Sequence, residues 1–417
     1  MPEGKFERRL GTTRAFYRNH VKKSYEFAHK AKREKKPVAW VASTFPVEIL
    51  YAMNIILVWP ENYASLCAAR HVSVRLCEIA ERRGFSRDLC SYARCVIGSL
   101  FEEKERLPEG GLPKPDFLVA STGACVTHFK WFQFISHHFK VPLFLLDAPY
   151  NITGGDSEHL ENHHIETYIS QLEGLIDFLE EQTGLKLDRK QLRETIVLSD
   201  RTSQLWEEIQ NYRKNTPAPM GARDAFSTVF YMLSAPSTHE AIDFYEKLRD
   251  EVETRAEKKF GITQSERFRL VWDNLPLWFD LGFFEYLNNL GAVVVAETFS
   301  HVWMGRLDPS RPYESLARKY LPNFANCSID RKVALIQNLV KEFKADGVIL
   351  PANWSCRMMS IGETIVKEEV YRKLGIPCLI LDVDSTDNRN YNESLVKRNV
   401  EVFLQVLSEK NRDARAC

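Results

Sequence analysis

The sequence has no apolar run approaching the roughly 20 residues that a membrane-spanning helix needs. It has no low-complexity tract, and its 56 basic residues are balanced by 56 acidic ones. Neither a membrane nor a nucleic acid is therefore expected as a partner. The opening residues, MPEGK, do not form the apolar core of a signal peptide. We accordingly expect a globular protein of the cytoplasm.

Close metal-binding spacings are also missing. The chain has nine cysteines, but no two form the C-x-x-C pair that makes metal binding a strong prediction from sequence. In a reducing compartment, cysteines are more commonly buried thiols, metal ligands or catalytic groups than disulfides. A Walker lysine motif, which would indicate a phosphate-binding loop, is absent as well.

Two stretches of the chain share one plan. Each begins with an acidic residue, continues as an apolar strand and ends in a turn that presents a cysteine, first from Asp116 to Cys125 and then from Asp346 to Cys356. Open parallel sheets bind ligands in a crevice at the carboxyl ends of their strands. We therefore expect the two thiols to meet at a shared cofactor.

Alternating strands and helices predict an α/β protein with two Rossmann-like or flavodoxin-like lobes, each built on a parallel sheet. We place the first lobe at residues 1–150, a helical segment at 151–265 and the second lobe at 266–417. The first lobe begins with a basic helix, whose charges are interpreted as its solvated face or as an anion-attracting patch. The helical segment is indicated by apolar residues spaced for one helix face: Ile165, Ile169, Leu172, Ile176 and Leu179.

Three cysteines occupy positions that suit chemistry. Cys125 and Cys356 follow strand ends, while Cys90 stands at a helix start, where unpaired amide groups favour a thiolate. Three interpretations are open from the residues alone. All nine cysteines could be buried small hydrophobes, three could form an iron-sulfur or zinc site, or one could be a nucleophile.

The neighbours of these cysteines carry a family resemblance, in order from about Pro37 to Leu407. The following segments are similar to the 2-hydroxyacyl-CoA dehydratase and benzoyl-CoA reductase family: Ser43-Thr44-Phe45-Pro46, Pro60-Glu61-Asn62, Leu89-Cys90-Ser91-Tyr92-Ala93-Arg94, Thr122-Gly123-Ala124-Cys125 with Lys130-Trp131-Phe132, and Asn353-Trp354-Ser355-Cys356. Each motif alone is weak. Three cysteines in matching contexts and in the right order are together specific.

The resemblance implies that Cys90, Cys125 and Cys356 bind one [4Fe-4S] cluster and leave one iron with an exchangeable ligand. It implies that the carbonyl of an acyl-CoA or aryl-CoA thioester approaches this iron, accepts one electron and becomes a ketyl radical. Such a radical permits loss of a hydroxyl group or reduction of an aromatic ring. The implied protein partners are a homologous second subunit and an ATP-dependent iron-sulfur activator protein.

Three further residues gain roles from the same resemblance. Glu61 is expected to move a proton during loss of the hydroxyl group, or else to cap the turn after Pro60. Ser43 is expected to hydrogen-bond the iron-bound ligand, or else simply to end its strand. His301 resembles a residue of a substrate-proximal loop, with a structural histidine as the alternative.

Departures from the family pattern bear on the reaction. Where dehydratases tend to show Asp-Gly-Asp-Gln, this chain has Asp382-Val383-Asp384-Ser385, followed by Asp387-Asn388-Arg389. The context of Cys125 is closer to benzoyl-CoA reductase, whereas Ser43, Glu61 and His301 are closer to the dehydratases. We expect a dehydratase subunit, with an aryl-CoA reductase subunit, an electron-relay iron-sulfur protein and a plain CoA-binding or scaffold protein as alternatives.

Overall fold

The computed structural model describes residues 6–150, 162–323 and 325–416. Within these ranges the chain forms two sheets of four parallel strands, with helices around and between them. This arrangement confirms the predicted α/β class with two Rossmann-like or flavodoxin-like lobes. Among the described residues, no helix has the length and apolar character needed to cross a membrane.

The sheet of the first lobe contains β1 (Val38–Val41), β2 (Ile56–Val58), β3 (Phe117–Ser121) and β4 (Leu143–Leu146). The strands are parallel and lie in the order β2-β1-β3-β4. β1 is buried along its whole length, as a continuous apolar run predicts for a strand covered on both faces. Because the chain leaves β1 on one side and returns to β3 on the other, their carboxyl ends flank the crevice typical of ligand binding.

Seven helices accompany this sheet: α1 (Gly11–Arg14), α2 (Lys22–Arg33), α3 (Val47–Ala52), α4 (Pro60–Ala69), α5 (Ser73–Arg82), α6 (Ser91–Ser99) and α7 (Val126–Phe139). The basic N-terminal segment is helical, as expected, but a π-helical turn at Tyr17–Val21 separates α1 from α2. Such turns re-aim side chains and are frequent at functional sites. The sequence also indicated only a turn at Pro60, but proline is well tolerated in the first helical turn, and α4 begins there.

The helical segment contains α8 (Asn162–Thr183), α9 (Arg189–Tyr212), α10 (Ala222–Thr228), α11 (Phe230–Ser234) and α12 (His239–Glu257). The predicted apolar face of α8 packs on the first sheet, where Leu172 and Leu179 are buried with Phe117 of β3. α12 packs toward the second sheet, with Leu248 in the same core as Leu270. The segment therefore shares a core with each lobe, and the boundaries at residues 150 and 265 remain predictions.

The second lobe repeats the first in strand order. Its strands are β5 (Phe268–Trp272), β6 (Ala292–Glu297), β7 (Gly347–Asn353) and β8 (Cys378–Val383), parallel and ordered β6-β5-β7-β8. Seven helices accompany them: α13 (Phe283–Asn289), α14 (Thr298–His301), α15 (Pro312–Tyr320), α16 (Ile329–Glu342), α17 (Arg357–Ser360), α18 (Glu363–Leu374) and α19 (Glu393–Ala416). One of them, α15, packs back into the first lobe through Leu316 and Ala317.

Candidate active site

A cleft of about 490 Å³ lies where the carboxyl ends of the two sheets face each other. It is lined by all three of the singled-out cysteines, Cys90, Cys125 and Cys356, and by Ser43 and Glu61. Cys90 and Cys125 belong to the first lobe and Cys356 to the second. The fold thus brings together five residues spread over more than 300 positions of sequence, as expected for ligand sites of open α/β sheets.

Each of the three cysteines immediately precedes a helix. Cys90 lies at the start of α6, Cys125 at the start of α7 and Cys356 at the start of α17. The sulfur of Cys125 accepts a hydrogen bond from the Thr127 amide at 3.2 Å. Each thiol therefore lies at the amino-terminal end of its own helix, where unpaired backbone amides carry partial positive charge that favours an anionic sulfur.

The thiols also interact with one another. Burial, followed by the neighbouring Cys356, raises the pKa of Cys90 well above its ordinary value, although the Ala93 amide opposes the rise. Burial likewise raises the pKa of Cys356 to about 12, with the Met359 amide opposing and Cys125 adding to the rise. Three mutually close thiols whose thiolates repel one another suit a positively charged metal group as partner.

The spacing of the thiols bears on the kind of group that fits. Among the described residues, no three His, Cys, Asp or Glu side chains form a group able to hold a metal ion. Three thiols around one cavity are a donor set suited to a larger group with several metal ions, such as an iron-sulfur cluster.

The other cysteines lie elsewhere. Four are buried, three of them within helices and one in β8: Cys67, Cys77, Cys95 and Cys378. Cys327 is half-buried like the three in the cleft, but it does not line the cleft. Cys417 lies outside the described residues.

A hydrogen-bonded bridge joins the turns that carry Cys90 and Cys356. The Ser91 amide donates to the Ser355 hydroxyl at 3.1 Å, and that hydroxyl donates to the Asp384 carboxylate. Asp384 in turn accepts hydrogen bonds from the amides of Thr386 and Asp387, both at 2.9 Å. Residues adjacent to two of the three cysteines are thereby held together across the two lobes.

Buried ion pairs extend this bridge. Arg94 of α6 is fully buried, donates to the Leu89 carbonyl at 2.8 Å and pairs with Asp387 at 2.9 Å. Arg389 pairs with the same Asp387 at 2.6 Å and with Glu81 of α5 at 2.5 Å. The segment after β8 that departs from the dehydratase pattern is thus the segment that joins the second lobe to the Cys90 turn.

Glu61, in the first turn of α4, forms a carboxylate-imidazole pair beside the thiols. Its Oε1 atom accepts from the Ser43 amide at 2.9 Å and lies 2.9 Å from His128 Nε2. Although burial opposes charge on the imidazole, Glu61 raises the pKa of His128 to about 9. Glu61 Oε2 and His128 Nδ1 are buried and have no hydrogen-bond partner among the described residues. The pair therefore holds two buried polar atoms without a partner at the edge of the cleft.

His128 was missed by the sequence analysis. It stands three residues after Cys125, in the first turn of α7, and it lines the cleft. Its position so close to a singled-out cysteine was the available signal. Ser43 lies at the cleft too, but its contact to Glu61 is made by its amide, so the expected role of its hydroxyl remains a prediction.

His301 lies at the end of α14 and is not among the residues lining the cleft. Its Nδ1 atom lies 2.9 Å from the Glu297 carbonyl, its ring contacts Phe343, and desolvation lowers its pKa to about 4. The neighbouring Phe299 and Trp303 do line the cleft. The structure brings the predicted segment to the site but not the predicted histidine, whose substrate-proximal role stays a prediction.

A second polar cluster, also missed, lies below the Cys356 turn. Lys332 of α16 pairs with the fully buried Asp273 at 2.7 Å and donates to the Met359 carbonyl at 2.9 Å. Neither carboxyl oxygen of the buried Glu363 has a hydrogen-bond partner among the described residues. Burial, with Asp273 adding and Lys332 opposing, raises the pKa of Glu363 to about 8.

These features define a two-lobed α/β protein with a cysteine-lined cleft between its lobes. Comparison with known proteins agrees: the model of the 2-hydroxyglutaryl-CoA dehydratase D-component family matches residues 42–407. The chain belongs to this family and is a subunit of an enzyme. The resemblance stated from the sequence is thereby confirmed.

Curated relatives extend along nearly the whole chain. The (R)-2-hydroxyisocaproyl-CoA dehydratase alpha subunit of Clostridioides difficile is 28% identical over 93% of this chain and 94% of its own length. The (R)-phenyllactyl-CoA dehydratase alpha subunit of Clostridium sporogenes is 28% identical, over 92% of each chain. A benzoyl-CoA reductase subunit of Thauera aromatica is 30% identical, over 88% of each.

Proposed function

We propose that this chain is the iron-sulfur subunit of a 2-hydroxyacyl-CoA dehydratase, which eliminates water from an acyl-CoA thioester. The observation that carries the proposal is the convergence of Cys90, Cys125 and Cys356 on one inter-lobe cleft, each at the start of a helix. Dehydratase alpha subunits among the relatives support the same reaction class.

The three thiols would hold a [4Fe-4S] cluster. Such clusters take thiolate ligands, and three thiolates leave one of four irons open. When bound, the cluster supplies an open iron for the thioester carbonyl and one-electron chemistry of the ketyl-radical type. The hydrogen bonds that join the turns of Cys90 and Cys356 fix the ligand positions across the lobes, which supports binding of a group that both lobes share.

The Glu61-His128 pair would handle the proton that accompanies loss of the hydroxyl group. The Ser43 amide and His128 hold Glu61 Oε1, so Oε2, which has no partner among the described residues, is left to accept a proton. His128 acts as a positioning residue, because its Nε2 atom lies 2.9 Å from Oε1 and holds that side of the carboxylate in place. Ser43 would donate its hydroxyl hydrogen to the reacting ligand.

The proposal requires three kinds of partner. One is the acyl-CoA thioester, and the second is a homologous second subunit, since several relatives are named as alpha subunits. The third is an ATP-dependent iron-sulfur activator protein, because this sequence has no Walker lysine motif of its own. We propose the cytoplasm as the location, since three reduced thiols at a cleft suit a reducing compartment.

A subunit of an aryl-CoA reductase is the second candidate. It is favoured by the similarity to the benzoyl-CoA reductase chain, which is 30% identical. An electron relay that never binds substrate is less well supported. A relay needs no cleft of about 490 Å³ with an ionisable carboxylate-imidazole pair beside its thiols.

Iron spectroscopy on the anaerobically purified protein tests these candidates. Iron and sulfide would be quantified, and Mössbauer spectra recorded before and after addition of 2-hydroxyacyl-CoA and aryl-CoA thioesters. We expect about four irons per chain, one of them shifted by a 2-hydroxyacyl-CoA. A shift caused only by aryl-CoA would favour the reductase, and a cluster blind to every thioester would favour the relay. A metal-free protein would contradict the ligand assignment.

A further inference from the structure

An aromatic wall extends from the Cys90 turn along one side of the cleft. We define this wall by five cleft-lining residues: Tyr92, Trp278, Phe226, Phe299 and Trp303. Trp278 donates a hydrogen bond to the Tyr92 hydroxyl, and Phe226 meets Trp278 edge-on with ring centroids 6.1 Å apart. Phe226 also stacks on Phe299 at 6.2 Å, and Phe299 meets Trp303 at 5.7 Å. The wall is therefore continuous.

The wall is assembled from distant parts of the chain. Tyr92 belongs to α6 of the first lobe, Phe226 to α10 of the helical segment, and the other members to the second lobe. Five further aromatic side chains line the same cleft: Phe16, Tyr17, Trp59, Trp131 and Phe230. Aromatic faces contribute apolar contact area and favour stacked or edge-on contact with another ring.

The cationic side chains that line the cleft already have anionic partners. Four arginines line it, and each faces a carboxylate: Arg9 with Asp224, Arg14 with Glu7, Arg70 with Glu109, and Arg223 with Glu285. The remaining charged pair, Glu61 with His128, lies at the thiol end. Apart from the buried Nδ1 atom of His128 at the thiol end, a carboxylate on the far end of an acyl group would find no uncommitted cation among the described lining residues.

From these observations we propose that the cleft selects thioesters whose acyl group ends in an uncharged, apolar side chain of about the size of a phenyl ring. A thioester of a dicarboxylic acid, such as glutaryl-CoA, is expected to bind more weakly, because its second carboxylate would lose its hydration without gaining a cationic partner. This inference rests on the proposed function of the cleft as a thioester site. The relatives do not decide it, since their names include both apolar and dicarboxylic acyl groups.

Equilibrium binding to the anaerobic protein tests the selectivity without requiring turnover. The probes are 3-phenylpropanoyl-CoA, 4-methylpentanoyl-CoA, glutaryl-CoA and CoA itself, measured by calorimetry. We expect 3-phenylpropanoyl-CoA to bind at least about 30-fold more tightly than glutaryl-CoA, with 4-methylpentanoyl-CoA between them. Glutaryl-CoA binding as tightly as the phenyl compound would overturn this inference and leave the proposed function intact. Failure of every thioester to bind would overturn both.

A matched pair of variants locates the selectivity in the wall. Phe299 lies in the wall, whereas Phe279 does not line the cleft, and both are 8% exposed. Phe299→Leu is expected to weaken binding of 3-phenylpropanoyl-CoA by about 3- to 10-fold with little effect on glutaryl-CoA. Phe279→Leu should leave both affinities unchanged. Equal losses for both ligands in Phe299→Leu, or no loss at all, would contradict the assignment of the wall as the acyl subsite.

Discussion

The two lobes share a strand order and a cysteine after the equivalent strand, but they use different polar groups at the carboxyl ends of their sheets. In the first lobe, Ser43, Glu61 and His128 line the cleft, and two polar atoms of the Glu61-His128 pair have no partner within the described ranges. In the second lobe, the corresponding end carries Asp273 and Lys332, an ion pair beneath the Cys356 turn that does not line the cleft.

The difference shows how one topology serves two purposes. The first lobe places the Glu61-His128 pair in the lining of the cleft, where the proposed proton transfer would occur. The second lobe directs its charges inward, where Lys332 holds the carbonyl of Met359 and so supports the short helix after Cys356. Strand order alone would not distinguish these roles, because function resides in the side chains that a fold brings together.

Among the changes that distinguish the two lobes, replacing Glu61, the carboxylate in the cleft, is expected to have the largest effect on turnover. Glu61→Gln keeps an oxygen that can accept from Ser43 and His128 but cannot take up a proton. We expect kcat to fall by about 100- to 1,000-fold, with unchanged iron and sulfide content, in assays with the activator present. Glu363→Gln is the matched control, because it alters a buried carboxyl group outside the cleft and should retain turnover. Equal losses in the two variants would remove the distinction between the lobes.

A smaller effect, on stability, is expected from the same Glu363→Gln variant. The pKa of Glu363 is raised from 4.5 to about 8, chiefly by burial. The folded-state pKa of Glu363 lies above the unfolded value. The stabilising contribution of this carboxyl group is therefore fully present below pH 4.5 and is lost as the pH rises through 8. Between pH 6 and pH 8 the wild type should lose about 2–3 kcal/mol of unfolding free energy that the variant retains. Urea unfolding at several pH values measures this, and parallel curves for the two proteins would show that Glu363 does not titrate in this range.

The smallest effect is expected at Ser43. Ser43→Ala removes the hydroxyl group but keeps the amide that binds Glu61, so the carboxylate stays in place. We expect kcat/KM to fall by about 5- to 10-fold, the value of one hydrogen bond to a ligand. An unchanged kcat/KM would mean that Ser43 only ends its strand. A loss as large as that of Glu61→Gln would mean that the hydroxyl is itself essential.

The sequence was informative where chemistry follows local pattern. Apolar runs such as residues 268–272 identified the strands, and turns after them identified Cys125 and Cys356, since burial on both faces leaves a continuous apolar signature. The prediction that Cys90 lies at a helix start is also confirmed, since α6 begins at Ser91.

Other features depend on contacts between distant segments. His128 becomes notable only when α4 brings Glu61 within 2.9 Å of it, and α4 itself was missed because proline signals both a turn and a first helical turn. The bridge from Ser91 through Ser355 to Asp384 joins residues almost 300 positions apart. The aromatic wall likewise draws on three parts of the chain, so no local periodicity could indicate it.

The most direct measurement is the iron and sulfide content of four variants, each with one cysteine replaced by alanine, prepared anaerobically in parallel with the wild type. Three carry alanine at Cys90, Cys125 or Cys356, and the fourth, Cys327→Ala, is the control because Cys327 is similarly half-buried but lies outside the cleft. The account predicts about four irons per chain in the wild type and the control, and a loss of most of the iron in each of the other three. Retention of four irons in any one of those three, with the fold intact by circular dichroism, would contradict the shared-cluster site.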